Sequence, residues 1–426
     1  MLLFMIIGIL VMLFLTIPVA VTLVFLAFGL DIFFSPFPLV RALGQNMWSS
    51  ANSFLLLSIP LFVLMGQMIV RSGIAARAYD ALDYWLSWLP GGLLHSNVVT
   101  STFFSATSGS SVATAATVST VALPQQRALK YDPKLFLGTI AAGGTLGIII
   151  PPSINLIVYG FLTETSIPQL FMAGLIPGLL LAGLFVVVSA VLCWWKPELG
   201  GPSRPATWKM RFSSLIHLVP LLLLFAVIIG SIYTGWATPS ESAAIGVTAS
   251  MIMAAAYRKL TLRNILDALD GTIKTTAMIM LIIMAAAFLN FAMSAAGLSQ
   301  QLTQFINQYD LSATQMLLMV LLILFILGFF IETLSLMVIT IPILTPIVFG
   351  LGYDPVWFGI VLIIFVELAL ITPPVGLNLY IVQAARKGEP FSDVMIGVIP
   401  YIFVMLIMAG LLIAYPQLAL WLPSQG

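Results

Sequence analysis

Residues 143–155 read Gly143-Gly144-Thr145-Leu146-Gly147-Ile148-Ile149-Ile150-Pro151-Pro152-Ser153-Ile154-Asn155, and residues 372–378 read Thr372-Pro373-Pro374-Val375-Gly376-Leu377-Asn378. Each stretch lies inside a long apolar run, 135–163 and 356–383. A helix through either run must unwind at the paired prolines, because two amide donors are missing and each ring clashes with the preceding turn. Unwound backbone frees carbonyls that can face a cation. The half-helix that resumes offers amides and the positive end of its dipole to an anion. A lone Pro-Pro pair is usually a kink; two of them, each followed by Asn, point to ligand sites.

The chain around them has 426 residues, is 61% hydrophobic and only 7% charged, and has a mean hydropathy of +1.13. A soluble chain is about 45–50% apolar and about 25% charged, so a water-soluble fold is excluded. Sixteen Lys and Arg against fifteen Asp and Glu leave no basic face for nucleic acid. The single cysteine, Cys193, excludes a disulfide framework and is read as a packing residue. The class is an all-α polytopic membrane protein, since the apolar runs far exceed a barrel strand.

Spanning runs are read at 2–30, 48–70, 135–163, 169–195, 214–234, 239–257, 273–296, 356–383 and 393–422, about ten helices in all. The first lacks a basic leader and a cleavage site, and is read as retained helix. Two further stretches, 93–123 and 313–349, are long, mostly uncharged and interrupted by polar residues. If both are re-entrant hairpins, fifteen of the sixteen basic residues fall on the cytoplasmic side, with Arg41 outside. Tryptophans 85, 88, 194, 195, 236 and 357 then lie near span ends.

The two halves repeat at an offset of about 222 residues. Tyr131-Asp132-Pro133 matches Tyr353-Asp354-Pro355, Pro124 matches Pro346, and Pro151-Pro152 matches Pro373-Pro374. Gly174-Leu175-Ile176-Pro177 resembles Gly397-Val398-Ile399-Pro400. The copies have opposite expected topology, which places an inverted repeat at 1–196, a cytoplasmic linker at 197–213 and a second repeat at 214–426. Residues 1–33 are accordingly read as two short segments bending at Pro18. Amphipathic stretches at 37–47, 74–92, 261–272 and 299–313 are assigned to the interface. Inverted repeats with broken helices characterise secondary transporters that bind substrate near the midplane.

Residues 100–120 hold twelve Ser or Thr and no charge, centred on Ser105-Ala106-Thr107-Ser108-Gly109-Ser110-Ser111. Backbone at membrane depth must be satisfied by protein or by a water-lined cavity. A glycine flanked by hydroxyls suits a turn there and leaves oxygens for a hard cation such as Na⁺. Packing through small residues explains the outer positions Thr114 and Thr117 better. The second tip reads Phe330-Ile331-Glu332-Thr333-Leu334-Ser335. Glu332 admits three readings: cation ligand, proton carrier, or a side chain in an aqueous vestibule. Glu367 is similar, with proton coupling through Glu332 or Glu367 as the alternative to sodium, and it also reads as a cap or brace for the helix that breaks after it. His95 and His217 read as interfacial, and Glu241 as helix N-terminal chemistry.

No P-loop, H-E-x-x-H or G-x-S-x-G is present, so neither ATP hydrolysis nor catalysis is expected. A membrane-embedded hydrolase using a hairpin serine lacks a base, and two opposed hairpins argue against an open channel. No Lys or Arg lies deep in the expected membrane core. An anion would be held by amides and hydroxyls, with Asn155 and Asn378 beside the breaks.

The hydroxyl-rich hairpin, G-x-I-I-P-P-S-x-x-L-I-x-Y-G at 147–160, T-P-S-E-S-A-A at 238–244 and T-P-P-V-G-L-N at 372–378 resemble the large membrane subunit of tripartite ATP-independent periplasmic (TRAP) transporters, the DctM type. The likeness covers essentially the whole chain; an arsenite or citrate permease matches these runs less well. The resemblance implies sodium-driven import of an organic acid across a bacterial inner membrane, with sialic acid slightly favoured and C4-dicarboxylates next. It implies an elevator mechanism, a small four-helix membrane subunit and a periplasmic binding protein as partners, and no cofactor beyond Na⁺. It places sodium on Ser108, Gly109, Ser110 and Ser111 with Gly144, Gly147 and Pro151, and on Thr333 and Ser335 with Thr372 and Gly376. Substrate is expected at Ser153, Asn155, Glu332, Pro374 and Asn378.

Overall fold

The computed structural model describes residues 1–202, 206–298, 312–386 and 388–425, and every regular element among them is helical. Most of the interfacial stretch 299–313, and the basic residues Arg204 and Lys387, lie outside the described residues. Residues 1–33 form α1 (Leu2–Phe14) and α2 (Val19–Phe34) on either side of Pro18. Next come α3 (Leu43–Ala51), α4 (Ser58–Arg71) and α5 (Ile74–Leu86). The first hairpin is α6 (Leu93–Ser108) with α7 (Ser111–Leu129). The first broken helix is α8 (Pro133–Ile149) with α9 (Ile154–Thr163), bent by 41°. The long α10 (Ile167–Trp195) follows.

The later part starts with α11 (Trp208–Tyr233), α12 (Pro239–Ala256) and α13 (Leu262–Ala295). The second hairpin is α14 (Ala313–Gly328) with α15 (Thr333–Gly350), and the second broken helix is α16 (Pro355–Ile371) with α17 (Leu377–Arg386). Helices α18 (Phe391–Ala414) and α19 (Gln417–Leu420) end the described chain.

Local chemistry explains several of these boundaries. In both Tyr-Asp-Pro triplets the aspartate caps a helix. Asp132 Oδ1 accepts from the amides of Lys134 and Leu135 at 2.9 and 3.3 Å, and Asp354 Oδ1 from those of Val356 and Trp357 at 2.8 and 3.0 Å. Proline follows at the first helical position, where no amide is needed. Thr238 and Glu241 close a reciprocal capping box at the start of α12.

Two boundaries differ from expectation. The loop expected at 124–134 is mostly helix, because α7 continues through Pro124 to Leu129. Its buried face, including Ala122 and Leu123, outweighs the hydrogen bond that proline forfeits. The interfacial stretch 261–272 and the span 273–296 are one helix of 34 residues. Gly271, the weak point between them, packs against the Gln67 side chain.

Helices α8 and α16 form the centre. Every residue from Leu135 to Ile149 is buried, as is every residue from Val356 to Ile371 except Phe365. Helices α6, α7, α10, α16 and α18 pack around α8. By contrast, α11 and α13 bare Ile216, Val219, Leu223, Leu266, Ile273 and Leu281. Such faces on helices of 26 and 34 residues suit lipid, not water. The chain is thus a polytopic membrane protein. By length and apolarity six described helices suit a full crossing, seven if α8 and α9 count as one; a figure near ten needs shorter helices such as α1, α2 and α16.

The repeated Gly-x-Ile-Pro motifs serve the same centre. A Cβ on Gly397 would stand 1.7 Å from the Lys134 carbonyl oxygen, and one on Gly174 would stand 2.5 Å from that of Ile149. Each glycine therefore lets a neighbouring helix meet α8 backbone to backbone, one at each end. Replacing Gly397 by Ala should force α18 off α8 and cost about 1–3 kcal/mol, read as a lower unfolding temperature. Gly183→Ala, where a Cβ meets nothing within 4 Å, should cost none of that.

Candidate functional site

The tip of the first hairpin is a two-residue turn. Gly109 takes φ +59, closed to most side chains, and its amide donates to Ser105 O at 3.0 Å. Ser110 is extended and caps α7, its Oγ accepting from the Ala113 amide at 3.4 Å. The tip abuts the joint between α8 and α9: a Cβ on Gly109 would lie 3.2 Å from Ile154 N and 3.4 Å from Pro152 O. Along α8, a Cβ on Gly147 would lie 2.8 Å from Ser110 O. One on Gly144 would meet Ala115 Cβ at 2.9 Å, Asn378 Nδ2 at 3.1 Å and Ser111 O at 3.2 Å. These glycines are the points where hairpin, first broken helix and second broken helix come together. The side chain of Ser108 lies outside the described ones.

Both Pro-Pro bonds, Pro151-Pro152 and Pro373-Pro374, are cis. At the first joint every residue from Pro151 to Asn155 is buried. Ser153 caps α9 by accepting from the Leu156 amide at 3.3 Å. The second joint is more open, with Thr372 and Pro373 half-buried and Pro374 exposed. There Thr372 Oγ1 donates to Leu368 O at 2.6 Å, and Gly376, at φ +49, starts α17. Just beyond each joint stands an asparagine with an unused amide atom. Asn155 Nδ2 is buried without a partner; Asn378 Nδ2 donates to Ala141 O at 3.4 Å while its Oδ1 has none. Seven other buried side-chain atoms among the described residues also lack a partner, Thr100 Oγ1 and Ser101 Oγ of the first hairpin among them; the two asparagines are distinguished by their place at the joints.

The second tip divides its polar residues. Glu332 is exposed and caps α15, its Oε2 accepting from the Ser335 amide at 3.1 Å, which favours the vestibule reading. Ser335 is half-buried, whereas Thr333 is buried and faces inward. Glu367 of α16 is 0% exposed. Its Oε2 accepts from Ser111 Oγ at 2.5 Å and its Oε1 from Thr333 Oγ1 at 3.2 Å. One carboxylate is thus shared by the tips of both hairpins. Sequence reading assigned Glu367 a cap or brace at its own helix break and, with Glu332, a candidate role in proton coupling, but no link between the hairpins. The signal that marks more was available: Ser111 and Thr333 are hydroxyl residues 222 positions apart, the offset of the repeat.

A family profile for the tripartite ATP-independent periplasmic transporter DctM component matches residues 6–418. The chain belongs to that family. It is 33% identical to the sialic acid TRAP transporter large permease protein SiaM of Vibrio cholerae, over 98% of this chain and 97% of that one. It is 34% identical to the C4-dicarboxylate TRAP transporter large permease protein DctM of Pseudomonas aeruginosa, over 90% of each. Its fold is similar to the crystal structure of the Alcanivorax borkumensis YdaH transporter, with a TM-score of 0.65 at 15% identity, covering 96% of this chain and 97% of that one. It is a TRAP large permease, hence a transporter protein and not an enzyme.

This DctM-type chain also holds a buried cation that sequence reading treated as an ordinary loop charge. Arg386, 3% exposed, pairs with Glu389 and, at 3.2 Å, with Asp393. Arg127, near the end of α7, donates to Arg386 O at 2.9 Å and reaches Glu389 at 3.3 Å. The cluster ties the base of the first hairpin to the end of the second broken helix. Arg386→Met should lower stability by about 2 kcal/mol through the lost charged hydrogen bonds. Adding Asp393→Asn should cost little more, because the pair acts as one unit; thermal unfolding of the single and double variants reads both.

Proposed function

We propose that this chain is the membrane permease of a sodium-driven, binding-protein-dependent importer of a small organic acid in a bacterial inner membrane. The observation that carries the reading is the pair of orphaned amide atoms, Asn155 Nδ2 and Asn378 Oδ1, each just past a broken-helix joint. An unpaired donor suits a carboxylate oxygen, and an unpaired acceptor suits a cation or a substrate hydroxyl. Helices α9 and α17 begin at those joints, so their positive ends add to the attraction for an anion. The carbonyls of Ser110 and Ser111 on Gly147 and Gly144, with the hydroxyls of Ser111 and Thr333, supply hard oxygens of the kind Na⁺ takes. Ser335, Thr372 and Gly376 are the matching candidates at the second joint.

Sialic acid and C4-dicarboxylates are the substrates to try first, since relatives at 33% and 34% identity carry those names. The partners proposed are a small four-helix membrane subunit and a periplasmic protein that delivers the acid. An elevator motion is supported by how the helices group. Helices α2, α3 and α4 pack on α13, and α4 also packs on α12, while the hairpins and broken helices pack mainly on one another and on α5, α10 and α18.

The test needs no knowledge of the acid. In detergent, unfolding temperature is titrated with Na⁺ against K⁺ at constant ionic strength. A ligand bound only by the folded state stabilises it by about 2.7 kcal/mol at a hundred times its Kd. A saturable rise specific to Na⁺ is expected. Ser110→Ala should lower stability in both salts through the lost cap, and should also move the Na⁺ curve to higher concentration. Equal behaviour in Na⁺ and K⁺ overturns the sodium reading and points to another coupling ion. In reconstituted uptake with a binding protein, Asn155→Ala and Asn378→Ala should abolish transport of the acid, with the unfolding curve in K⁺ read alongside to show that each variant is folded.

A further inference from the structure

Glu367 is the most deeply buried acid among the described residues. It is wholly buried, and among the described residues no basic side chain forms an ion pair with it. Its bonds come instead from two hydroxyls, one on each hairpin tip, and each uses a different carboxylate oxygen. The arrangement is one of a kind within the repeat. The residue 222 positions before Glu367 is Thr145, whose hydroxyl donates to Ala142 O at 2.6 Å and meets Met405 Sδ at 3.9 Å, and among the described residues bonds neither tip.

The surroundings leave little slack. The first tip is pinned by close approach of Ser110 O and Ser111 O to Gly147 and Gly144. Thr333 and Leu334 are buried at the start of α15, and α16 is buried along nearly all its length. A carboxylate is planar and rigid, so both hydroxyls reach it only when both tips are seated. Lifting one tip leaves an acceptor oxygen bare in a dry site, which costs more than the bond itself contributed.

We propose that Glu367 is a positioning residue that links the two hairpins, so that the seating of one tip depends on the other. By holding both hydroxyl hydrogens on its own oxygens, it keeps the Ser111 and Thr333 oxygens in fixed orientation. A disturbance at either tip passes through α16 to the opposite hairpin. The link needs no sodium, so it stands or falls separately from the coupling ion proposed above.

Hydrogen exchange in K⁺ alone, on the full chain in detergent, tests it. Ser111→Ala is expected to speed exchange of the amides at 330–338, on the second hairpin, by on the order of tenfold. Thr333→Val should do the same to those at 105–113, on the first. Ser105→Ala removes a buried hydroxyl that, among the described residues, bonds Ser101 O, at 2.5 Å, and should affect its own hairpin alone. In a Glu367→Ala chain both cross-effects should vanish. Should that variant not fold, Glu367→Gln has the same size but one acceptor oxygen, and should weaken them. Changes confined to the substituted hairpin overturn the proposal. So do cross-effects that persist undiminished without the carboxylate.

Discussion

In hydrocarbon no water is at hand to bond a bare amide or carbonyl, and each one left unpaired costs several kcal/mol. That constraint governs the centre of this protein. Helices α8–α9 and α16–α17 are interrupted by prolines within an apolar interior, and the interruption survives only because other protein covers it. The first hairpin supplies the cover at one joint, with Gly109 against Ile154 N and Pro152 O. Among the buried side-chain atoms left without a partner, Asn155 Nδ2 and Asn378 Oδ1 lie just past the two joints.

Close approach then becomes the main packing requirement. Gly144, Gly147, Gly174 and Gly397 each stand where a Cβ would fall within 3 Å of another element's atoms. These are helix-to-helix contacts through backbone, in keeping with a membrane interior where burial of apolar area does little to drive association. Ion pairs play their part at the periphery. Arg386 and Arg127, with Glu389 and Asp393, fasten the ends of elements whose middles hold no basic group.

Much of this was legible in the residues. Paired prolines announce broken helices because the missing amides and ring clashes act locally. The Tyr-Asp-Pro triplets announce helix starts for the same reason, and Asp132 and Asp354 cap as that pattern implies. Signals that depend on neighbours read less well. Pro124 looks like a helix end, yet packing carries α7 past it. Glu332, an acid at a tip, is exposed and caps its own helix, whereas Glu367, beside its helix break, bonds both hairpins.

The sequence by itself determined the class of the protein, its membrane setting and the places where two helices must break, since hydropathy and proline chemistry act within a few residues. Only the tertiary structure decided which hydroxyls meet which carboxylate. Ser111 and Glu367 are 256 residues apart, and nothing in either neighbourhood specifies the other. Their meeting follows from how α8 and α16 pack at the core and from glycines that let the tips come close. Such distances are set by the fit of whole helices, and local preference carries no record of them.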